Sequence, residues 1–271
     1  MLMQRVITAL ILAPLSLWGI WVASSSVFAL ILGLIFAMAA WEWARLSGMQ
    51  RIPARLAYVV LVSLLMLGLY LAQSIHNFSL MILVLGLMWW SMALMSVLSY
   101  PDANGLWRNS PLARGLAGLF VLLPAWLAIV VLHAHGEQGP LWVILLVMMV
   151  WAADTGAYFA GRAFGRHKLA PRVSPGKTWE GVVGGMALAL LIALAGSYWL
   201  DLPGSLLVFA LLVLVSILIS VLGDLLESLF KRITDIKDSG GMLPGHGGIL
   251  DRIDSLTAAA PLFVLGLLWL G

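Results

Sequence analysis

Apolar runs of about twenty residues, separated by short polar stretches, recur nine times along this chain. They fall at roughly 6–23, 27–45, 56–72, 78–100, 115–133, 141–161, 181–200, 205–227 and 255–270. A helix of about 20 residues spans a hydrocarbon layer of about 30 Å. The pattern therefore predicts an all-α, polytopic integral membrane protein with about nine transmembrane helices. No internal repeat, low-complexity segment or long linker interrupts it, so residues 1–271 form a single expected membrane domain. Met1 to Arg5 and the apolar run behind them resemble a signal peptide. The length of that run and the spans that follow favour an uncleaved first helix instead.

The polar positions test this count. If the N-terminus is cytoplasmic, the inner segments are 1–5, 46–55, 101–114, 162–180 and 228–254, and all 15 Lys and Arg lie in them or within a turn of them. The outer loops 24–26, 73–77, 134–140 and 201–204 contain neither residue. Such asymmetry predicts an N-terminus inside and, with nine spans, a C-terminus outside. Trp18, Trp21, Trp142, Trp199 and Trp269 would then form an outer aromatic belt, and Trp41, Trp43 and Trp107 an inner one. Trp89 and Trp90 fall mid-span and fit neither belt.

Composition narrows the chemistry. A mean hydropathy of +1.04 excludes an ordinary soluble domain. With no cysteine there is no disulfide, thiolate nucleophile or thiolate zinc site. The formal charge of +3 is small and its placement follows topology, so nucleic acid is not an expected partner.

Charged groups inside the spans are costly and mark function. Asp154 stands about two turns before the cytoplasmic end of the sixth span, with Tyr158 one turn further on. Asp224, Glu227, Ser228 and Lys231, at i, i+3, i+4 and i+7, make one polar stripe on the eighth. The stretch 228–254 that follows holds four Lys or Arg, four Asp, a His and five Gly, and is expected to be a polar loop at the membrane surface. Carboxylates converging beside phosphate-binding cations suit Mg²⁺. Asp224 and Asp251 are the leading ligand candidates and Asp154 the third. The plainer alternatives are that Asp224 pairs with Lys231 or a neighbouring Arg, and that Asp251 and Asp254 only cap the last helix.

Two loops extend the picture. Pro244-Gly245-His246-Gly247-Gly248 leads into the last span, where small residues and a helix N-terminus could receive a phosphate. There His246 would be a phosphate ligand, a proton donor or merely structural. Ser174-Pro175-Gly176-Lys177-Thr178 contains Gly-Lys-Thr, but a P-loop would need glycine at position 171, which is Pro171. Lys177 remains as a point charge for a phosphate or as a simple topology lysine. Arg162, Arg166, Lys168 and Arg172 are topology and lipid-surface charges. Gly181, Gly184, Gly185 and Gly196 would permit close helix contact, within one chain or between two.

The run from Ser228-Leu-Phe-Lys231-Arg232 through Lys237-Asp238-Ser239-Gly240 and Leu243-Pro244-Gly245-His246-Gly247-Gly248 to Asp251-Arg252-Ile253-Asp254 resembles the signature of the phosphatidate cytidylyltransferases, the CDP-diacylglycerol synthases. Ser174 to Gly181 and Asp154 to Tyr158 resemble that family too. The likeness covers about 154–255. It implies that CTP and phosphatidate give CDP-diacylglycerol and pyrophosphate, within a membrane-lipid environment, at the cytoplasmic face of a bacterial inner membrane. It implies catalytic roles for Asp224, Asp251, Lys237 and Asp154, with Mg²⁺ on Asp224, Asp251 and Asp154 and room for a second, monovalent cation. Substrate contacts would come from Ser174, Lys177, Ser228, Lys231, Arg232, His246, Gly247, Gly248 and Arg252. Residues 1–135 would then be supporting transmembrane helices and 141–271 the catalytic part, with a homodimer as the suggested assembly. A CTP-dependent transferase for another lipid phosphate is the nearest alternative. A transporter is the more distant one, since it would hold its binding groups near mid-membrane.

Overall fold

The structure is a computed structural model that describes residues 13–102, 104–202, 204–240 and 247–270. Met1 to Arg5, the start of the first span and His246 lie outside these residues. Helix α1 (Ala13–Val22) is the described part of the first predicted span. There follow α2 (Ser25–Leu46), α3 (Ile52–Ala72), α4 (Phe78–Leu98), the short α5 (Gly105–Asn109), α6 (Pro111–His133) and α7 (Gly139–Phe164). A small antiparallel hairpin of β1 (Lys168–Ala170) and β2 (Ser174–Thr178) leads to α8 (Trp179–Gly196), α9 (Leu206–Ile233) and α10 (Leu250–Leu270). Among the described residues, 8 helices are long and apolar enough to cross a membrane.

Several ends carry their own stops. Ser110, Thr178 and Ser205 each accept a hydrogen bond from the backbone N–H three residues on, and so cap α6, α8 and α9. Helix α6 runs through the centre, with Leu122, Ala125, Leu127 and Ala128 fully buried, and packs on α2, α3, α4, α7 and α10. Helices α7 and α8 form a close antiparallel pair. A Cβ on Gly185 would stand 2.6 Å from the Ala153 carbonyl oxygen, so only glycine lets the backbones meet there. The glycines of α8 thus serve a contact within the chain.

Two expectations change here. Helices continue beyond the apolar runs: α9 reaches Ile233 and α10 begins at Leu250. At 28 residues α9 is about 42 Å long, more than the hydrocarbon layer requires. Arg232 consequently stands on the same helix as the stripe residues Ser228 and Lys231, and the loop that follows begins only after Ile233. The inner tryptophan belt is also revised. Trp43 and Trp107 are buried, Trp43 donating to the Arg114 carbonyl at 2.8 Å and Trp107 to Ser96 Oγ at 3.1 Å. Trp142 is buried as well, while Trp18, Trp21, Trp199 and Trp269 are exposed as a belt requires. Trp89 and Trp90, which fitted no belt, belong to the core.

Among the described residues, contacts join the basic segments at one end of the bundle. Arg114 at the start of α6 donates to Ser47 O just beyond α2, at 3.1 Å, and Arg172 pairs with Asp102 at 3.3 Å. Arg232 donates to Val173 O at 3.3 Å.

Candidate active site

At this end, α9 turns its polar stripe toward the start of α10 and the β2–α8 junction. Asp224 Oδ2 meets Lys177 Nζ at 2.8 Å, and Asp224 Oδ1 accepts from Ser228 Oγ at 3.2 Å. Lys231 bridges two acids: it lies 3.1 Å from Glu227 Oε2 and is hydrogen bonded to Asp251 Oδ1. Asp251 Oδ2 in turn accepts from the Gly248 N–H at 2.7 Å. Asp251, in the first turn of α10, therefore ties the α9 stripe to the turn that enters α10. Asp224 does form an ion pair, but with Lys177 rather than with Lys231.

Asp154 stands ten residues before the end of α7, about 15 Å along its axis, deeper than two turns. It is solvent-accessible, yet interacts electrostatically with Asp224, Lys177 and Arg252. Asp254, one turn inside α10, couples to Asp224, Asp154 and Glu227, and its Oδ1 accepts from the Ser255 N–H at 2.7 Å. It faces the acid cluster from within the helix instead of capping its start.

Beside this cluster a cavity of about 440 Å³ is lined by Val173, Ser174, Ser228, Lys231, Arg232, Asp235, Ile236 and Lys237. Five residues singled out from sequence, Ser174, Ser228, Lys231, Arg232 and Lys237, therefore share one opening. The structure adds Asp235 and Glu42 to the neighbourhood. Glu42 is the largest omission: a carboxylate from α2, 2% exposed, it accepts from the Leu250 N–H at 2.8 Å and from Ser239 Oγ at 3.3 Å. The rule applied to Asp154, that an acid inside an apolar span marks function, would have found it.

The donor set fits a hard divalent cation. Five carboxylates, Asp154, Asp224, Glu227, Asp251 and Asp254, bring hard oxygen donors together beside Lys177, Lys231 and Arg252. No group of three His, Asp or Glu is preassembled for a metal among the described residues. That suits Mg²⁺, which commonly takes one or two carboxylates and completes its shell with substrate phosphates and water.

The chain is similar to known proteins over nearly its whole length. The profile of the cytidylyltransferase family matches residues 3–269. The chain is 48% identical over 273 residues to the phosphatidate cytidylyltransferase of Pseudomonas aeruginosa, covering 99% of this chain and 97% of that one. It is 39% identical over 280 residues to that of Haemophilus influenzae, with 97% of each covered. With the Brucella suis enzyme of the same name the identity is 36% over 270 residues, or 97% of this chain and 92% of the other.

Proposed function

The chain belongs to the cytidylyltransferase family, and from that premise we propose that it transfers the cytidylyl group of CTP to phosphatidate, releasing pyrophosphate and forming CDP-diacylglycerol for phospholipid synthesis. The observation that carries this reading is the meeting, at one end of an apolar bundle, of an acid cluster with a cavity edged by Lys231, Arg232 and Lys237. A lipid headgroup held at the membrane and a nucleotide from water can both reach such a place.

In our reading a phosphatidate phosphate oxygen attacks the α-phosphorus of CTP in line. The new P–O bond forms as the bond to the bridging oxygen of the β-phosphate breaks, and pyrophosphate leaves with the electron pair. The nucleophile is already anionic near neutral pH, so no strong base is needed. The protein's work is to bring two polyanions together and to balance the charge that grows on the leaving group. Lys177, Lys231, Arg232, Lys237 and Arg252 bind phosphate oxygens, and the Ser174 and Ser228 hydroxyls donate to them. Gly247 and His246 add contacts where the chain enters α10. The Gly248 N–H is already taken by Asp251, so the role of Gly248 is to let that turn approach closely. Mg²⁺, held by Asp224 and Asp251 with Asp154 nearby, would supply Lewis-acid neutralisation of the triphosphate. Lys177 and Lys231 now neutralise these two acids. On substrate arrival they turn from carboxylate to phosphate.

The reading puts the site at the cytoplasmic face of a bacterial inner membrane, with the N-terminus inside. The gathering of basic segments at the site's end and the bacterial relatives support it. A homodimer belongs to the same proposal.

Purified in detergent with lipid present, the chain is expected to make CDP-diacylglycerol and pyrophosphate from CTP and phosphatidate. EDTA should stop the reaction and Mg²⁺ restore it. Product from a polyprenyl phosphate but not from phosphatidate would transfer the reading to a different lipid substrate. Absence of product from both would overturn it.

A further inference from the structure

Glu42 is four residues from the end of α2, on the opposite half of the chain from the acid cluster. A carboxylate buried in an otherwise apolar helix is unfavourable unless its oxygens are engaged. Here Oε2 takes the Leu250 N–H, one of the first-turn amides of α10 that has no partner within its own helix, while Oε1 is buried without a hydrogen-bond partner among the described residues. An anion at that position also interacts favourably with the helix dipole. The same oxygen accepts from Ser239, which is fully buried.

The fit is close on both sides. A Cβ on Gly248 would lie 2.8 Å from Glu42 Cδ, and one on Gly240 would lie 2.9 Å from Glu42 Cγ. One carboxylate therefore holds residues 239–240, just after Lys237, and residues 248–250, just before Asp251. Glu42 lines no part of the cavity and acts through these neighbours.

We propose that Glu42 is a positioning residue for catalysis: from α2 it clamps both arms of the segment that carries Lys237 and Asp251, and so sets the place of the phosphate-binding cation relative to the acid. The proposal rests on the transferase reading for its catalytic consequence, while the clamp itself can be read without substrate.

The test compares wild type with Glu42→Ala, Glu42→Gln and Ser239→Ala in detergent. Gln keeps an acceptor oxygen, whereas Ala removes it. In Glu42→Ala, amide hydrogen exchange at Leu250 is expected to quicken by about tenfold or more, the scale of losing one hydrogen bond of about 1.4 kcal/mol. Turnover should fall on the order of 100-fold through misplacement of reacting groups. KM for CTP should move far less than kcat, and the Mg²⁺ concentration for half-maximal activity should rise. Glu42→Gln should recover most of the turnover. Unchanged Leu250 exchange, or a folded Glu42→Ala protein with wild-type kcat and Mg²⁺ requirement, overturns the proposal. If Glu42→Ala does not fold, Ser239→Ala decides: lowered kcat with unaltered melting supports the clamp, and wild-type kcat and Leu250 exchange reject it. Should wild type make no CDP-diacylglycerol, the transferase reading fails. Leu250 exchange then still decides the clamp on its own.

Discussion

At the end of the bundle away from the acid cluster, His133 is buried with both ring nitrogens occupied. Nε2 lies 2.9 Å from Ile20 O and Nδ1 lies 3.2 Å from Ser25 Oγ, and the ring stacks on Phe28. Gln138 and Asp201 likewise close on each other: the Gln138 side-chain amide donates to Asp201 Oδ2 at 3.0 Å, and the Asp201 N–H donates to Gln138 Oε1 at 2.9 Å. At the opposite end Lys231 is shared between Glu227 and Asp251, and buried Glu227 Oε1 has no hydrogen-bond partner among the described residues. Both ends are polar and both join helices distant in sequence. Saturated one-to-one contacts lock helices together, whereas charged groups shared among several partners leave capacity to bind an incoming ion or phosphate.

The sharpest way to break this comparison is Lys231→Met. It strands Glu227 and Asp251, and breaking a buried pair costs about 3–5 kcal/mol. We expect loss of turnover together with a lowered unfolding midpoint in a denaturant titration. Asp251→Asn should separate the two effects, with turnover down on the order of 100-fold or more and a smaller loss of stability than in Lys231→Met, because Lys231 keeps Glu227 and Asn keeps one acceptor oxygen. Wild-type turnover in that variant would remove Asp251 from the metal set. His133→Ala probes the other end and should do the reverse. Stability falls by about 1–3 kcal/mol as the Ile20 carbonyl and Ser25 lose their partner. Turnover per folded molecule, measured below the midpoint, should stay at the wild-type value. The smallest effect is expected for Arg172→Ala or Asp102→Ala, whose ion pair is exposed at 67% and 83%. Each should shift stability by less than about 1 kcal/mol and become indistinguishable from wild type in high salt.

The length and spacing of apolar runs determined the helical membrane architecture, because hydrocarbon requires backbone polar groups to be satisfied within the span. The same text placed most of the site's basic and acidic groups near one surface, since charges cluster where water is. The stripe Asp224, Glu227, Ser228 and Lys231 was legible as one helical face, but the helical place of Arg232 was not: hydropathy marks the edge of lipid, and α9 continues past it. Which acid faces which lysine was decided only by tertiary structure. Lys177 pairs with Asp224 across 47 positions and Lys231 with Asp251 across 20, distances over which helical periodicity carries no information. Glu42 shows the limit most clearly. Its burial in α2 is visible in the sequence, but that it meets Ser239 and Leu250 follows from the packing of α2 beside α9 and α10, which no local pattern specifies.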